Sequence, residues 1–305
     1  VTEPFVSVLI PTWNNAGQLL ECLASIRALD YPRARLEIVV FDNGSHDGTA
    51  ERVEALFADM RGEGWARLAL ARSPRNLGAF GGRAAALRSL GRAADFVLSL
   101  DDDVTLSPSG LRVLVTAAAD GAGAVGARIV YDDAPGEVAS AAGYFNRWLG
   151  TYHERRPTVR TPCDFVTSCG CLLRRGPLES VGGFDAGYFT SHGDVDLCLA
   201  LRARGFTVLY EPAAEIRHKV ARGGTRSPER VYYGYRNKLL VLRKHLPRGR
   251  RPFVFALYAL GWVPRAVAGS LVHHRGLRSD ELRAILLGVR DGFLDRRGEA
   301  PYFRG

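Results

Sequence analysis

Short apolar runs recur through the N-terminal third of the chain, each followed by a segment of helical periodicity, and that alternation leaves few folds open. Val6–Ile10, Leu36–Phe41, Leu68–Ala71 and Phe96–Leu100 read as strands. Between them, Leu19, Leu23 and Ile26 mark one helix face and Val53, Leu56, Phe57 and Met60 a second. Ala79–Leu90 reads as a small-residue helix. A spacing of about 30 residues is that of stacked βαβ units, so an α/β fold with a mostly parallel sheet flanked by helices is expected.

Ligands of such sheets bind outside the carboxyl ends of the strands. That rule gathers Thr12, Asp42, Asn76 and Asp101–Asp103 along one rim, a set of polar loops suited to a nucleotide. Asp101, Asp102 and Asp103 repel one another and are best tolerated in open solvent or beside a cation. Hard oxygen ligands suit Mg2+ or Mn2+, which also takes phosphate oxygens. The alternative is an acidic turn ahead of a helix opened by Ser107-Pro108.

With 305 residues, 47% hydrophobic and 24% charged, the chain can bury a sizeable core and is not expected to be disordered. A net charge of +9 fits nucleotides, phospholipid surfaces or nucleic acid without choosing among them. Gly78-Ala79-Phe80-Gly81-Gly82 is not G-x-G-x-x-G, and no G-x-x-x-x-G-K-[ST] occurs, which argues against a dinucleotide cofactor and a P-loop. Val1–Pro4 carries no secretory pattern, so a cytosolic address is expected. Cys22, Cys163, Cys169, Cys171 and Cys198 form no C-x-x-C pair and read as buried, reduced thiols.

Beyond Asp120 the pattern changes. Val125–Tyr131 and Phe165–Arg174 read as longer strands, and residues 132–162 as an irregular binding loop. Asp194 stands near the start of a helix marked by Val195, Cys198, Leu199 and Leu201, where an N-cap role competes with a chemical one. Asp196 reads as a surface or supporting residue. Phe206–Tyr210 and Ala214–His218 read as two short strands.

Seven segments in order, any one of them weak, make the chain specific: Val6–Asn14, Asp42–Thr49, Arg75–Gly78, Leu100–Asp103, Val181–Asp185, Gly193–Leu197 and Tyr235–Asn237. Over roughly its first 240 residues it resembles the inverting glycosyltransferases of family 2, with the GT-A fold, and among them bacterial rhamnosyl and galactofuranosyl transferases. The resemblance implies a catalytic domain over residues 1–225, with a nucleotide-sugar half at about 1–120 and an acceptor half at about 121–225, and a helical extension over 226–305. It implies that Thr12, Trp13, Asp42, Arg75, Asn76, Asp101 and Asp102 surround a UDP-, dTDP- or GDP-sugar. Asp103, Asp101 and His218 would hold Mg2+ or Mn2+, and Asp194 would be the base. The family usually carries Glu before this Asp, where the chain has Gly193.

The implied acceptor is a glycan, a lipid-linked sugar or a small molecule, and the implied setting is cell-surface glycan assembly, with decoration of a secondary metabolite as the alternative. Sugar-1-phosphate nucleotidyltransferases share the architecture, but their glycine-rich N-terminal loop is missing. Retention of Asp194 argues against a mere sugar-nucleotide binder, and nothing besides charge points to nucleic acid. Pro252–Pro264 is apolar but too short to span a bilayer. With Arg248, Arg250, Arg251, His273, His274, Arg275 and Arg278 around it, this tail suits either an anionic membrane surface or packing on the catalytic domain or a second subunit of a homodimer.

Overall fold

The computed structural model describes residues 3–91, 94–219, 227–265, 267–268 and 279–303. Strands β1 (Val6–Thr12), β2 (Leu36–Asp42), β3 (Arg67–Arg72) and β4 (Phe96–Leu100) lie parallel, in the order β3-β2-β1-β4. Helices α1 (Ala16–Arg27), α2 (Thr49–Met60) and α3 (Gly78–Arg88) make the crossovers. The sheet continues past β4 through β11 (Gly170–Arg174), β6 (Ala124–Tyr131), β12 (Val208–His218) and β10 (Thr161–Cys163). Within it β11 is antiparallel to both β4 and β6, while β12 is parallel to β6. Six of the eight strands on this path share one direction, so the sheet is mostly parallel.

Both faces of the sheet are covered, which is why β1, β2 and β4 read as unbroken apolar runs. Successive side chains still alternate. Val8, Ile10, Ile38, Val40 and Leu98 join one core with Leu19, Leu23 and Ile26, whereas Leu9, Phe41 and Val97 join the other with Phe80, Leu197 and Leu240.

Several sequence expectations are corrected. Residues 132–162 are not irregular: they hold β7 (Ala134–Ser140), β8 (Ala142–Asn146), β9 (Thr151–Arg155) and the start of β10. Strands β7 and β9 are half exposed, β7 carries Pro135 and Gly136, and β7 pairs with β6 through shifted register, so no clean period of two marks them. Phe165–Arg174 is a strand only from Gly170, and Phe165 instead bridges Gly143. Phe206–Tyr210 and Ala214–His218 belong to the single strand β12, which begins at Val208 and is broken in register between Glu211 and Glu215, around Pro212. Ser107-Pro108 does not open α4 (Gly110–Ala117): the Ser107 carbonyl accepts from Gly110 N and the Pro108 carbonyl from Asp30 N, so the pair forms the preceding turn.

Helix α7 (Pro228–His245) is capped by Ser227, whose hydroxyl accepts from Arg230 N at 3.2 Å, and has Pro228 at its first position. It is followed by α8 (Arg251–Leu257), a π turn over Tyr258–Trp262, and α9 (Ser279–Phe293). Helix α9 lies close against α7, since a Cβ at Gly288 would stand 2.5 Å from the Tyr232 carbonyl. Buried Asp291 ties this region together, accepting from Tyr232 at 2.8 Å and Tyr302 at 2.9 Å. Helices α7 and α9 thus pack against each other. His273, His274, Arg275 and Arg278 lie outside the described residues. No helix among the described residues is long and apolar enough to cross a membrane.

Candidate active site

Parallel register places the first residues of the site. Thr12 and Asp42 are partners at the carboxyl ends of β1 and β2, and both are buried. Asp42 Oδ1 accepts from Ser45 N at 2.8 Å, which folds the loop after β2. Its Oδ2 is buried without a hydrogen-bond partner; Arg72 Nε approaches it to 3.3 Å as a charge alone. A buried carboxylate oxygen without a donor is costly unless a ligand supplies one. Trp13, next on the rim, is 51% exposed.

The acidic triplet leaves β4 and its members separate at once. Asp101 pairs with the Arg83 guanidinium, Asp102 Oδ2 accepts from Thr12 Oγ1 at 2.6 Å, and Asp103 Oδ1 lies 3.0 Å from His218 Nε2. Burial, the largest influence, pushes the Asp102 carboxyl up to about 6, with Asp103 and Asp101 adding to it and the bonds from Thr12 and Asn15 opposing. Asp102, expected at the donor, is thus tied to Thr12, itself expected there. His218 reaches Asp103 because strand β5 (Val104–Leu106) pairs antiparallel with β12, setting His218 opposite Val104. Burial alone would lower the His218 imidazole, but its bonds to Asp103 and Cys169 outweigh this and raise it to about 11.

One oxygen each of Asp101 and Asp103 and one nitrogen of His218 lie within 4.8 Å of one another, the one such group of metal-ligating side chains among the described residues. Two carboxylates and an imidazole fit Mn2+ or Mg2+; the imidazole would release its proton to solvent to bind the cation. The five cysteines are buried thiols without a disulfide, as expected.

Arg83 was not singled out from sequence. It is 2% exposed, donates from Nε to Ser99 Oγ at 3.0 Å and from Nη1 to the Ala79 carbonyl at 3.2 Å, and faces Asp101. The signal was present: an arginine among Gly81, Gly82, Ala84, Ala85 and Ala86 has only small neighbours on a buried helix. Arg75 and Asn76 stand where β3 turns into α3. The Arg75 backbone packs on Gly44 of the Asp42 loop, and both residues border a cavity of about 450 Å3 that also includes Leu77, Phe189 and Glu299.

Asp194 is the second residue of α6 (Gly193–Ala203), behind His192 in the left-handed region. It does not cap the helix; its Oδ1 accepts from Val195 N at 2.8 Å. Burial raises its pKa, and Arg83 and Asp101 are close enough for both charges to act on it. Phe189, Ser191 and His192 all have φ near +60° (57°, 61° and 66°), strain of the kind that accumulates at functional sites.

The strained loop is held from α7. Asn237 Nδ2 donates to the carbonyls of Tyr188 at 2.8 Å and Ser191 at 2.9 Å, and also to that of Thr190. Arg236 binds the carbonyls of Tyr188 and Gly298. Asp196 is not a surface residue: it is 2% exposed and accepts from Lys244 at 2.7 Å and His245 at 2.6 Å. Burial would raise it, but these partners hold its pKa below the usual carboxylate value. Gly193 also finds a reason, since a Cβ there would lie 2.5 Å from the Phe80 ring, leaving no room for the glutamate usual in the family. A cavity of about 330 Å3 is lined by Tyr152, His153, Glu154, Phe165 and Ser191, and by His192 and Val195, which flank Gly193-Asp194 in the chain.

Comparison with known proteins agrees with this geometry. The chain is 29% identical over 251 residues to the N-acetylglucosaminyl-diphospho-decaprenol L-rhamnosyltransferase of Mycobacterium tuberculosis, covering 72% of this chain and 78% of that protein. It is 30% identical to an N-acetylglucosaminyltransferase of Rhizobium leguminosarum, over 69% of this chain but only 49% of the relative. The fold matches that of a mannosyltransferase from Pyrobaculum calidifontis, solved in complex with GDP-Man and Mn2+, with a TM-score of 0.62 and 17% identity over 97% of this chain and 88% of that one. Residues 7–182 match the model of the glycosyl transferase family 2, a span that takes in Thr12, Asp42, Arg83 and the acidic triplet. The chain is a glycosyltransferase with the GT-A fold, and it belongs to glycosyl transferase family 2.

Proposed function

We propose that this glycosyltransferase moves a sugar, with inversion and with the help of a divalent cation, from a nucleoside-diphosphate sugar to an acceptor hydroxyl. The observation that carries the reading is the convergence on one rim of Asp101, Asp103 and His218 with the half-satisfied Asp42 and with Asp194. In this reading Asp42 Oδ2 accepts an N–H of the base, while Thr12, Trp13, Arg75 and Asn76 border the nucleoside. Asp102 holds Thr12 in place. Asp101, Asp103 and His218 hold Mn2+ or Mg2+, which when bound neutralises charge on the departing diphosphate. Arg83 fixes the Asp101 carboxylate and adds positive charge beneath it.

Asp194 takes the proton of the acceptor hydroxyl, and its raised pKa makes it a better base than an ordinary carboxylate. Arg236 and Asn237 keep the loop that leads into Asp194 in its strained conformation. The catalytic domain is assigned to residues 1–225 and the supporting helical extension to 226–305. The rhamnosyltransferase relative, whose name gives a lipid diphosphate acceptor, supports a lipid-linked acceptor; a place in cell-surface glycan assembly, on the cytoplasmic face of a membrane, completes the reading.

A panel of UDP-, dTDP- and GDP-sugars, incubated with Mn2+, Mg2+ or EDTA, tests this. The expected result is slow metal-dependent hydrolysis of one donor class, with transfer to a lipid-linked sugar giving a product of inverted anomeric configuration. Hydrolysis unaffected by EDTA, or retention of configuration, would refute it.

A further inference from the structure

Lysine is scarce in this protein: of 41 basic side chains only Lys219, Lys238 and Lys244 are lysines. Lys219 pairs with Glu21, and Lys244 Nζ lies 2.7 Å from Asp196. Lys238 has neither carboxylate nor hydrogen-bond partner among the described residues. Its Nζ instead lies 5.4 Å from the Tyr152 ring centroid, 5.6 Å from Tyr258 and 5.5 Å from Trp262, all within cation–π range. The π turn of residues 258–262 carries both Tyr258 and Trp262 to this position. Three rings steady an ammonium and strip water from it, yet leave its three N–H donors without oxygen acceptors. Burial accordingly lowers the Lys238 pKa.

The position of this group is as telling as its lack of an anion. Tyr152 forms a wall of the cavity next to the Asp194 segment, its ring 5.6 Å from that of His192, and its buried hydroxyl has no partner. Asn237, adjacent to Lys238, binds the Ser191 carbonyl. On the other side Trp262 is 40% exposed and leads to Leu260 and Phe253, which are more exposed still. Exposed Trp148 and Leu149 join this surface, because Gly150 packs on Val254 and the Arg250 guanidinium lies over the Trp148 ring. The unpaired cation thus stands between Tyr152, a wall of that cavity, and the exposed ring of Trp262.

We propose that Lys238, between Tyr152, Tyr258 and Trp262, is the subsite for the phosphate of a lipid-linked acceptor. The acceptor sugar then occupies the cavity walled by Tyr152 and its lipid chain lies on the surface of Trp262, Leu260, Phe253 and Trp148. The ammonium donates charge-assisted hydrogen bonds to phosphate oxygens, and the rings exclude the water that would weaken them. This assignment rests on the transferase reading above.

The test titrates geranyl diphosphate, geraniol and inorganic pyrophosphate into the full-length protein in EDTA, so that the Asp101, Asp103 and His218 centre takes no part through a metal. Losing a charge-assisted bond of ordinary strength predicts that geranyl diphosphate binds Lys238→Met at least about tenfold more weakly than the parent. Lys238→Arg, which keeps the charge, should retain part of the affinity, Asp103→Ala should bind the probe like the parent, and geraniol should not distinguish Lys238→Met from the parent. Equal binding to parent and Lys238→Met of unchanged Tm overturns the proposal, as does no binding to the parent or loss of binding in Asp103→Ala. Pyrophosphate binding as tight as geranyl diphosphate would make this a site for free phosphate and overturn the lipid assignment. Donor hydrolysis by the parent with Mn2+ is measured alongside; its absence would count against the transferase reading, while the EDTA titrations decide the subsite by themselves.

Discussion

Replacing Asp194 with asparagine separates a base from a structural carboxylate, because the structure says what each role would lose. The bond from Val195 N to Asp194 Oδ1 survives in Asp194→Asn, since the amide oxygen accepts equally well. Arg83 keeps its Asp101 partner, so no buried cation is stranded. Burial raises the Asp194 pKa in the folded state, which means its ionisation opposes folding. Such a group favours the folded state below its unfolded pKa, and that contribution is lost as pH rises through the folded value. The asparagine variant, which does not ionise, should therefore match the parent below pH 4 and be as stable or slightly more stable at neutral pH.

Catalysis should move the other way. Removal of a general base costs about 100- to 10,000-fold in turnover, or about 3 to 5 kcal/mol of transition-state stabilisation. The assay is kcat for transfer at saturating donor, beside calorimetric donor affinity and thermal melts from pH 4 to pH 8. The expected variant is folded, binds donor like the parent and turns over at least roughly a hundredfold more slowly. The parent's activity should fall on the acid side at a pH above the ordinary aspartate value of 3.8. Turnover within a few-fold of the parent would refute the assignment and move the search to Asp185, although that carboxylate already accepts from Gly187 N and faces Arg297 and Lys244.

Asp103→Ala should abolish Mn2+-dependent donor binding and lower Tm somewhat, because His218 loses the partner that raises its pKa; equal donor affinity in saturating Mn2+ would count against the cation site. Asp42→Ala removes the buried oxygen that awaits a donor and should weaken free nucleoside diphosphate by about 1.5 to 3 kcal/mol in calorimetry. Asn237→Ala strands carbonyls of Tyr188, Thr190 and Ser191, so it should cost about 1 to 3 kcal/mol of stability and lower kcat more than donor affinity, as read by denaturant melts and steady-state kinetics.

The parts of this protein visible in its sequence are those set by neighbours along the chain. The βαβ repeat is written in runs such as Val6–Ile10 and Leu36–Phe41, because burial on both sheet faces demands continuous apolar residues. The rim follows from it, since parallel register alone makes Thr12 the partner of Asp42. The family, too, was legible, because short motifs at strand ends keep their order whatever the intervening loops do.

Tertiary structure decided the rest, wherever a contact joins residues far apart in the chain. His218 meets Asp103 only because an antiparallel strand returns beside β5, and Arg83 meets Asp101 only because α3 packs against the strand ends. Asn237 reaches the loop before Asp194 from a helix more than forty residues later, across |i−j| of 46 to 49. Asp196 reads as a surface or supporting residue in a helical pattern, and the contacts of Lys244 and His245 from α7, which close over it, make it the latter. Strand β7 is stabilised by pairing with β6, and β8 and β9 by pairing with each other, interactions that composition and period do not encode. Local patterns report which side chains must be buried; which of them meet depends on how the elements dock.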